Sequence, residues 1–446
     1  MRSPVVPILS LLLASGCAHY ASVPLASDTS ALAAPVTGVL QTQASTITRP
    51  WLEPNPVDLS APLTLRGVSA LAVVNNPDLA ALRARAGVTD AQAFAAGLLP
   101  DPTFSFGVAK VLSGPDTLLN LAGALGLDLG ALRKRAVTRQ QAQAQARQVR
   151  LDLAWAEWQT AGQARIQAVR ILGQERIVGL TRESAAAASE QLDRATRAAL
   201  RGDISASDAE SARLAAFDAA ARARTAERDL LAAGQELARL LGFPPDTPIA
   251  LAPAALPDAP PPSDTLFAIA QGNRTDLAAL RAGYDAQEAS VHKAVLDQFP
   301  TLNLTIAPGR DSAGNFSLGP TVDFTLPLWN RNRGGIAIEQ ATREALRREY
   351  DARLFQTRSD IAAAWSGIAL AQRQLAEAQA GLPGLQRQAE AAGRAARRGD
   401  LSRAAAMTAT QQWRDRQLVI AQAELAIREQ TIALELLSGE PIEGWR

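Results

Sequence analysis

Apolar residues follow two different periods along the chain, and the two periods alternate in the same order twice. From Leu63 to about Leu99 they recur with helical spacing, and Asn76-Pro77 suits a first helical turn or a junction between two helices. The period then shortens to two over a pair of short segments, which predicts strands. A long helical stretch, a tight turn and a returning helix follow, and the second half of the chain repeats this order.

The predicted strands cover about 102–110 and 118–129 in the first half and about 301–308 and 316–328 in the second. In each strand one face is apolar and the other is polar or built of small residues. A tilted strand of about ten residues is long enough to cross a bilayer. The same alternation also fits a soluble hairpin packed on helices, and the pattern alone does not separate the two.

The number of predicted strands limits what they can form in lipid. Four strands cannot close a barrel, and open strand edges are not tolerated in hydrocarbon. The smallest barrels have about eight strands. If these strands lie in a membrane, several copies of the chain must therefore share one barrel: two copies would supply eight strands and three would supply twelve.

The two long helical stretches run from about Lys134 to Leu200 and from Gly335 to Arg397. Each would be on the order of 100 Å long. Both are rich in Ala, Gln, Arg and Glu, with larger apolar residues only at intervals. This composition favours close lateral packing against other helices, as in a coiled coil. A plain coiled-coil stalk fits these helices equally well, but it does not explain the strand pairs.

Each long stretch ends at a turn whose residues are nearly identical in the two halves, Arg201-Gly202-Asp203-Ile204-Ser205 and Arg398-Gly399-Asp400-Leu401-Ser402. The glycines are expected to end the long helices. Asp203 and Ser205, or Asp400 and Ser402, are candidates to cap the returning helices. A repeat of this length indicates a duplicated half rather than a short solenoid unit.

The N-terminus resembles an export signal. Arg2 precedes an apolar run, Val5–Leu13, which is too short to span a bilayer, and Ala14-Ser15-Gly16 leads to Cys17. This arrangement resembles a bacterial lipoprotein box and implies lipidation (palmitate) of Cys17 after cleavage, although an ordinary secretory signal remains an alternative. The predicted organisation is a signal peptide at 1–16, a lipid-anchored extended tail at 17–62, halves at 63–242 and 264–439, a proline-rich linker at 243–263 and a C-terminal tail at 440–446.

Composition argues against several classes of function. The net charge is +1, so nothing points to nucleic acid. One cysteine, two histidines and two methionines cannot readily build a soft-metal site. His19 and His292 have no evident catalytic partner, and the sequence contains no phosphate loop or nucleophile motif. We therefore predict no enzyme activity, no cofactor and no bound metal.

The chain resembles the TolC-like outer-membrane efflux factors over nearly its whole mature length. The resemblance rests on Asn76 to Arg83, on Ala96 to Pro102, on the first turn with Asp208, and on Leu240-Leu241-Gly242. Leu326 to Gly334 is most similar to the strand-to-helix junction of the heavy-metal (CzcC-like) branch. No single motif is specific, but their order, spacing and duplication together are.

The resemblance implies a mainly α fold with membrane β. Three chains would form one 12-stranded outer-membrane β-barrel, continued by an α-helical barrel across the periplasm. Both turns would lie at the periplasmic tip, where a periplasmic adaptor bound to an inner-membrane pump would dock. The expected adaptor contacts are Gly202, Asp203, Ser205, Asp208, Gly399, Asp400 and Ser402. The second turn has Ala405 in place of Asp208, so the two tips are expected to bind the adaptor unequally.

Further candidate residues concern the duct itself. Alternation places Asp128 and Asp323 on the inward face, where they would favour cations or serve general solvation of the lumen. Pro383 interrupts the second long helix and is expected to kink it, either as part of a gate or as a static bend. The candidate gate region is completed by Arg394, Arg397 and Arg398, which would otherwise be solvated charges near the helix end.

The function that follows is the outer-membrane exit duct of a tripartite efflux pump, with no chemistry of its own. The alternative is a lipid-anchored periplasmic coiled-coil scaffold without a pore. The amphipathic strands favour the duct. The sequence leaves the substrate open between metal cations and drugs or other organic solutes.

Overall fold

The computed structural model describes residues 20–25, 36–110, 112, 119–253, 256, 259–310 and 316–445. The chain divides into two units, residues 1–35 and 36–446. In the first unit, residues 20–25 are exposed and have no regular secondary structure. The predicted lipidation site, Cys17, lies outside the described residues. Everything below concerns the second unit.

The described elements repeat in two halves joined by a loop, after one short N-terminal helix. The helices are α1 (Thr37–Thr46), α2 (Leu65–Asn75), α3 (Pro77–Ala96), α4 (Leu129–Leu200), α5 (Ala206–Leu241), α6 (Ser263–Asn273), α7 (Thr275–Leu296), α8 (Arg333–Arg398) and α9 (Arg403–Ser438). The strands are β1 (Thr103–Lys110), β2 (Leu119–Asp128), β3 (Leu302–Arg310) and β4 (Phe316–Phe324). A short 3-10 turn, Ile442–Gly444, follows α9. No helix among the described residues has both the length and the hydropathy needed to cross a membrane.

In each half, the glycine that ends the last helix packs against the start of that same half. Asn76 begins α3, and its side-chain oxygen accepts from the amide of Leu79 at 3.0 Å. Gly242 ends α5 with φ +68°, and a Cβ there would come within 2.3 Å of the carbonyl oxygen of Asn75. Gly439 ends α9 with φ +69°, and a Cβ there would meet Arg274 at 3.0 Å. Each glycine therefore provides the left-handed turn and the room for the start of its own half.

The four strands form one antiparallel sheet in the order β1-β2-β3-β4, so the two halves join through β2 and β3. Phe104 lies opposite Leu125, Leu125 opposite Ile306, and Ile306 opposite Pro320. Directly opposed residues share a face of the sheet. The apolar faces of the two predicted hairpins are therefore one continuous apolar surface.

Both faces of the sheet are open in the single chain, in contrast to the hairpin packed on helices that the sequence left as an alternative. On the apolar face Phe104 is 74% exposed and Phe316 is 75% exposed, and on the opposite face Ser105 and Asp323 are exposed. β4 ends at Phe324, four residues before its predicted end, and Pro327, which has no amide hydrogen to donate, follows soon after. β3 in turn continues through Pro308, where β2 no longer pairs with it.

The long helices pack side by side in the order α8-α9-α4-α5. Alanines spaced seven residues apart on α5 are buried, as expected of a narrow seam: Ala212, Ala219, Ala226 and Ala233. A Cβ on Gly162 of α4 would lie 2.1 Å from the side chain of Leu436, and one on Gly173 would lie 2.7 Å from Leu425. Small residues on α4 therefore let α9 approach closely.

Part of the predicted N-terminal tail is ordered and packed on the helices, so the description of residues 17–62 as an extended tail is wrong for 36–62. We call residues 36–62 the strap. Its buried residues are Leu40, Ala44, Leu52 and Val57. The strap was missed because its apolar residues show no sustained period, although a few of them are enough to fix it to the larger core.

A buried carboxylate holds the strap to α4. Glu157 is 4% exposed and accepts from Arg49 of the strap at 2.5 Å and from Arg83 of α3 at 2.7 Å. The ring of Trp51 packs edge-on against Trp158, with 5.1 Å between the ring centroids. Burial opposes ionisation of Glu157, but the hydrogen bonds from the two guanidiniums outweigh it, and the pKa of Glu157 lies below its ordinary value.

We expect Glu157→Ala to lower the free energy of unfolding by about 1–3 kcal/mol, because two guanidiniums lose their shared acceptor. The effect stays within that range because Arg49 and Arg83 are still about a third exposed to water. Tryptophan fluorescence during unfolding in detergent measures it. Glu175→Ala, at an exposed position of the same helix, is the control, with a change below about 0.5 kcal/mol. Equal losses in the two variants would contradict a specific role of Glu157.

Candidate functional site

The first turn between long helices is a compact backbone motif at the end of α4. Gly202 has φ +78°. Its amide donates to the carbonyl of Ala199 at 3.0 Å, and the amide of Asp203 donates to the carbonyl of Ala198 at 2.9 Å. This is the Schellman arrangement, which satisfies carbonyls that a helix end leaves free. We call residues 201–208 the first tip.

The second turn repeats that motif at the end of α8. Gly399 has φ +85°, and its amide donates to the carbonyl of Ala396 at 3.2 Å. The amide of Asp400 donates to the carbonyl of Ala395 at 3.0 Å. We call residues 398–405 the second tip. The expected adaptor-contact residues therefore occupy two turns of the same backbone geometry.

The aspartates of the turns do not cap the returning helices, contrary to one of the roles considered for them. Asp203 accepts from the Nε of Arg201 at 2.8 Å, and Asp400 accepts from the Nε of Arg398 at 2.8 Å. An arginine two residues earlier thus pairs with each of them. The caps are the serines.

The two caps are unequal. In the first tip Ser205 accepts from the amide of Asp208 at 3.1 Å, while the Asp208 carboxylate accepts from the amide and the hydroxyl of Ser205 at 3.3 and 2.7 Å. This reciprocal pair is a capping box. In the second tip Ser402 accepts from the amide of Ala405 at 3.2 Å, and Ala405 has no carboxylate to return the bond.

A groove joins the first tip to the start of α9. Its volume is about 800 Å³, and we call it the tip groove. The charged residues that line it are Arg194, Arg197, Arg201, Arg403 and Asp208. Met407 closes one side, with its Sδ 3.9 Å from Arg194. The structure thus brings Asp208 into a basic groove between the two hairpins.

The sequence reasoning did not single out most of these arginines. Arg194, Arg197 and Arg201 are spaced three and four residues apart, so they lie on one face of α4. That spacing is the feature of the sequence that could have shown these arginines to share one surface. Arg403 and Met407 could not have been added from sequence, because they reach the groove only through the packing of α9 beside α4.

The candidate gate residues fall in different surroundings. Arg394 and Arg397 line a groove of about 380 Å³ with Trp413 of α9, while Arg398 faces Asp400. Pro383 is exposed and is not part of that lining. Pro383 lies inside α8, which continues through it to Arg398, and the kink expected there stays a prediction.

The two candidate lumen aspartates lie in one row of the sheet. Asp128 is opposite Asn303, and Asn303 is opposite Asp323. All three therefore share the face opposite to the apolar surface. Both aspartates are exposed. Asp128 has a second role, since its carboxylate caps α4 by accepting from the amide of Ala131 at 2.8 Å.

No cluster of three or more His, Cys, Asp and Glu side chains within the described part of the chain is arranged to hold a metal ion. His292 lies on α7 and is exposed.

Known proteins resemble this chain in sequence and in fold. The sequence profile "Outer membrane efflux protein" matches residues 266–440. Cobalt-zinc-cadmium resistance protein CzcC of Cupriavidus metallidurans is 28% identical over 304 residues, which are 64% of this chain and 68% of that protein.

Solved structures share the fold at low sequence identity. The outer membrane protein VceC of Vibrio cholerae superposes with a TM-score of 0.69 at 15% identity, covering 85% of this chain and 96% of that one. The Campylobacter jejuni outer membrane channel CmeC gives a TM-score of 0.68 at 16% identity, covering 84% of this chain and 85% of that one. The profile match lies in the second half of the chain, and the likeness in fold extends over more than four fifths of it.

Proposed function

We propose that the chain is the outer-membrane exit duct of a tripartite efflux pump. The observation that carries the proposal is the continuous apolar face of an otherwise unpacked sheet. A four-stranded sheet with phenylalanines more than half exposed would be an aggregation hazard in water. In a bilayer the same face is the lipid-facing surface of a barrel, and the small and polar opposite face lines the lumen.

Several chains must complete such a barrel. β1 and β4 each have one unpaired edge, and hydrocarbon offers no partner for their backbone groups. Joining β4 of one copy to β1 of the next satisfies both edges. Three copies would close twelve strands, which is the number that the resemblance to TolC-like factors implies.

The helical layer is open at the same two sides. α8 and α5 are its outer members, and each exposes large apolar residues. Phe355 and Leu370 of α8 are 74% and 51% exposed, and Leu214 and Phe217 of α5 are 56% and 66% exposed. α5 of one copy packed against α8 of the next would cover both surfaces and continue the barrel below the sheet.

The tips and the tip groove are the proposed docking site for a periplasmic adaptor and, through it, an inner-membrane pump. The basic side chains around the tip groove suit acidic side chains on the adaptor. Divalent cations are favoured as cargo, because one relative is named for cobalt, zinc and cadmium resistance and an acidic row lies on the inward face. Lipidation at Cys17 would add an anchor to the embedded barrel.

Charge on the two faces of β1 separates the duct from a scaffold without a pore. We expect Phe106→Lys to cost about 2–4 kcal/mol if the side chain faces lipid at the bilayer midplane, and so to lower the amount of protein embedded in the outer membrane. Ser105→Lys, on the opposite face of the same strand, is the matched control and should still embed. Extraction of membranes with carbonate measures both. Equal retention of the two variants, with Cys17→Ser added to each, would favour the scaffold.

Asp323→Asn tests the inward acidic row. Removing this charge should lower the preference for cations, seen as a smaller reversal potential across a planar bilayer under a salt gradient. Asp323 is the cleaner target because Asp128 also caps α4. Thr321→Asn, on the same face of β4, should leave the reversal potential unchanged. An unchanged potential in Asp323→Asn would remove this residue from the permeation path.

The unequal caps predict unequal local stability at the two tips. Amides 205–208 should exchange with solvent more slowly than amides 402–405. The capping box joins Ser205 and Asp208 by hydrogen bonds in both directions, whereas Ser402 and Ala405 are joined in one direction only. Ala405→Asp should slow exchange at the second tip, and Asp208→Ala should speed it at the first, each by an equivalent of about 1 kcal/mol. Hydrogen exchange read by mass spectrometry measures this. Identical exchange at both wild-type tips would contradict the prediction.

Pro383 remains the proposed hinge of a gate even though α8 is continuous. A proline cannot donate to the carbonyl four residues earlier, so α8 lacks one hydrogen bond at that point. Pro383→Ala should restore the bond, stiffen α8 and lower the open probability in planar-bilayer recordings. Ala380→Gly, one turn earlier, loosens the same stretch without adding a bond and should not lower it. Unchanged gating in Pro383→Ala would exclude a hinge at this residue and favour a static bend.

A further inference from the structure

The helices at the two open sides of the helical layer, α5 and α8, have surfaces that match each other. α5 lies wholly within the described residues, and the large apolar side chains that it exposes are Leu214, Phe217 and Leu231. They are 3 and 14 positions apart, so they share one face of the helix. An apolar face of this kind is typical of a helix that packs against another element.

Glycines on α8 have the same spacing in the opposite order. Gly384, Gly381 and Gly367 are 3 and 14 positions apart. Within the described chain, a Cβ on Gly384 would meet no atom within 4 Å. Cβ atoms on Gly381 and Gly367 would come no closer than 4.0 and 3.9 Å to side chains of α9. The space beside each glycine is therefore open in the single chain.

The contact between α4 and α9 shows how this chain fits an apolar side chain against a glycine. A Cβ on Gly173 would lie 2.7 Å from Cδ1 of Leu425 and 3.2 Å from its Cβ, so only glycine leaves room for this leucine. Leu436 fits against Gly162 in the same way. Gly162 lies 11 positions before Gly173, and Leu436 lies 11 positions after Leu425. Both pairs therefore belong to one antiparallel register.

The duplication of the chain transfers this register to α8 and α5. The first tip begins at residue 201 and the second at 398, so corresponding residues are 197 positions apart, and α8 corresponds to α4 as α5 does to α9. Gly173 and Leu425 are the starting pair. Moving both helices 14 positions towards the tips, and then changing to the other half, leads to Gly384 and Leu214. A glycine thus lies opposite an exposed leucine in this register as well.

We propose that α5 of a second copy of this chain covers α8 in the register that α9 has on α4. The glycines of one copy and the apolar residues of the next then meet in three pairs: Gly384 with Leu214, Gly381 with Phe217, and Gly367 with Leu231. All three exposed apolar residues of α5 find a glycine without any shift between them. This interface rests on the shared barrel proposed above, and it assigns the residues that join the copies below the sheet.

An ion pair within the chain also has a counterpart in this interface. Arg176 of α4 pairs with Glu424 of α9. The same correspondence brings Arg373 of α8 to Glu227 of the neighbouring α5. Arg373 is exposed and has no ion-pair partner within the described part of the chain. Glu227 accepts from Arg182 at 2.6 Å and is still 40% exposed, so it has room for a second guanidinium.

Disulfide cross-linking in isolated outer membranes tests the register. Gly384→Cys with Leu214→Cys, in a Cys17→Ser background, should link neighbouring chains on oxidation and give species of two and three chains on non-reducing gels. The corresponding Cβ positions on α4 and α9 are 3.2 Å apart, which is close enough for a disulfide. Gly384→Cys with Asp218→Cys is shifted by about 6 Å along α5 and should give at least about tenfold less linked chain.

The outcomes separate the register from the shared barrel. Gly173→Cys with Leu425→Cys is the positive control, because this pair should close within a single chain. Links through Asp218→Cys in place of Leu214→Cys would overturn the register and leave the shared barrel standing. If neither interchain pair links while the control closes, the register and the shared barrel are both overturned.

An exchange of side-chain size tests one glycine without cysteines. Gly381→Leu fills the space assigned to Phe217 of the neighbouring copy, and should weaken trimer association at least about tenfold in light scattering over a dilution series in detergent. The single chain should stay folded, because this position is exposed and leucine favours a helix more than glycine does. Adding Phe217→Ala should strengthen association again.

Gly179→Leu is the control for this exchange. Gly179 is exposed on α4, which has a helix of the same chain on each side, so this variant should associate as wild type does. Unchanged association in Gly381→Leu, or no recovery when Phe217→Ala is added, would overturn the proposed pairing.

Discussion

Backbone groups at a strand edge need a partner, and this constraint shapes the whole chain. The sheet has two unpaired edges, one on β1 and one on β4, and an apolar face that no described residue covers. In water such a sheet would be exposed to edge-to-edge association, and in lipid its edges would be unsatisfied. The sheet is thus open at β1 and β4, and the helical layer is open at α8 and α5.

The helical layer is thin because its contacts are small. Gly162 and Gly173 of α4 receive Leu436 and Leu425 of α9, and a line of alanines on α5 faces α4. Helices that approach this closely need few large side chains, which accounts for the 4% aromatic content of the sequence. The larger apolar core is confined to the region where the strap, α2, the middle of α4 and the C-terminal end of α5 meet.

Features encoded locally were predictable from sequence. The two glycine turns, the junction at Asn76-Pro77 and the alternation in the strands each depend on residues close together in the chain. The joining of β2 to β3 was not predictable, since those strands are separated by two long helices. The tip groove was missed for the same reason, because Arg403 meets Arg194 and Arg197 only after the hairpins pack. The strap was missed because Leu40 and Ala44 are too few to give a periodic signal.

The bridge from Arg49 to Glu157 joins residues that are 108 positions apart. Synthesis proceeds from the N-terminus, so the strap emerges well before the carboxylate that holds it. Until α4 follows, Arg49 lacks its carboxylate partner and Trp51 lacks the ring of Trp158. The docking of the strap on α4 is thus a late step in the folding of this chain.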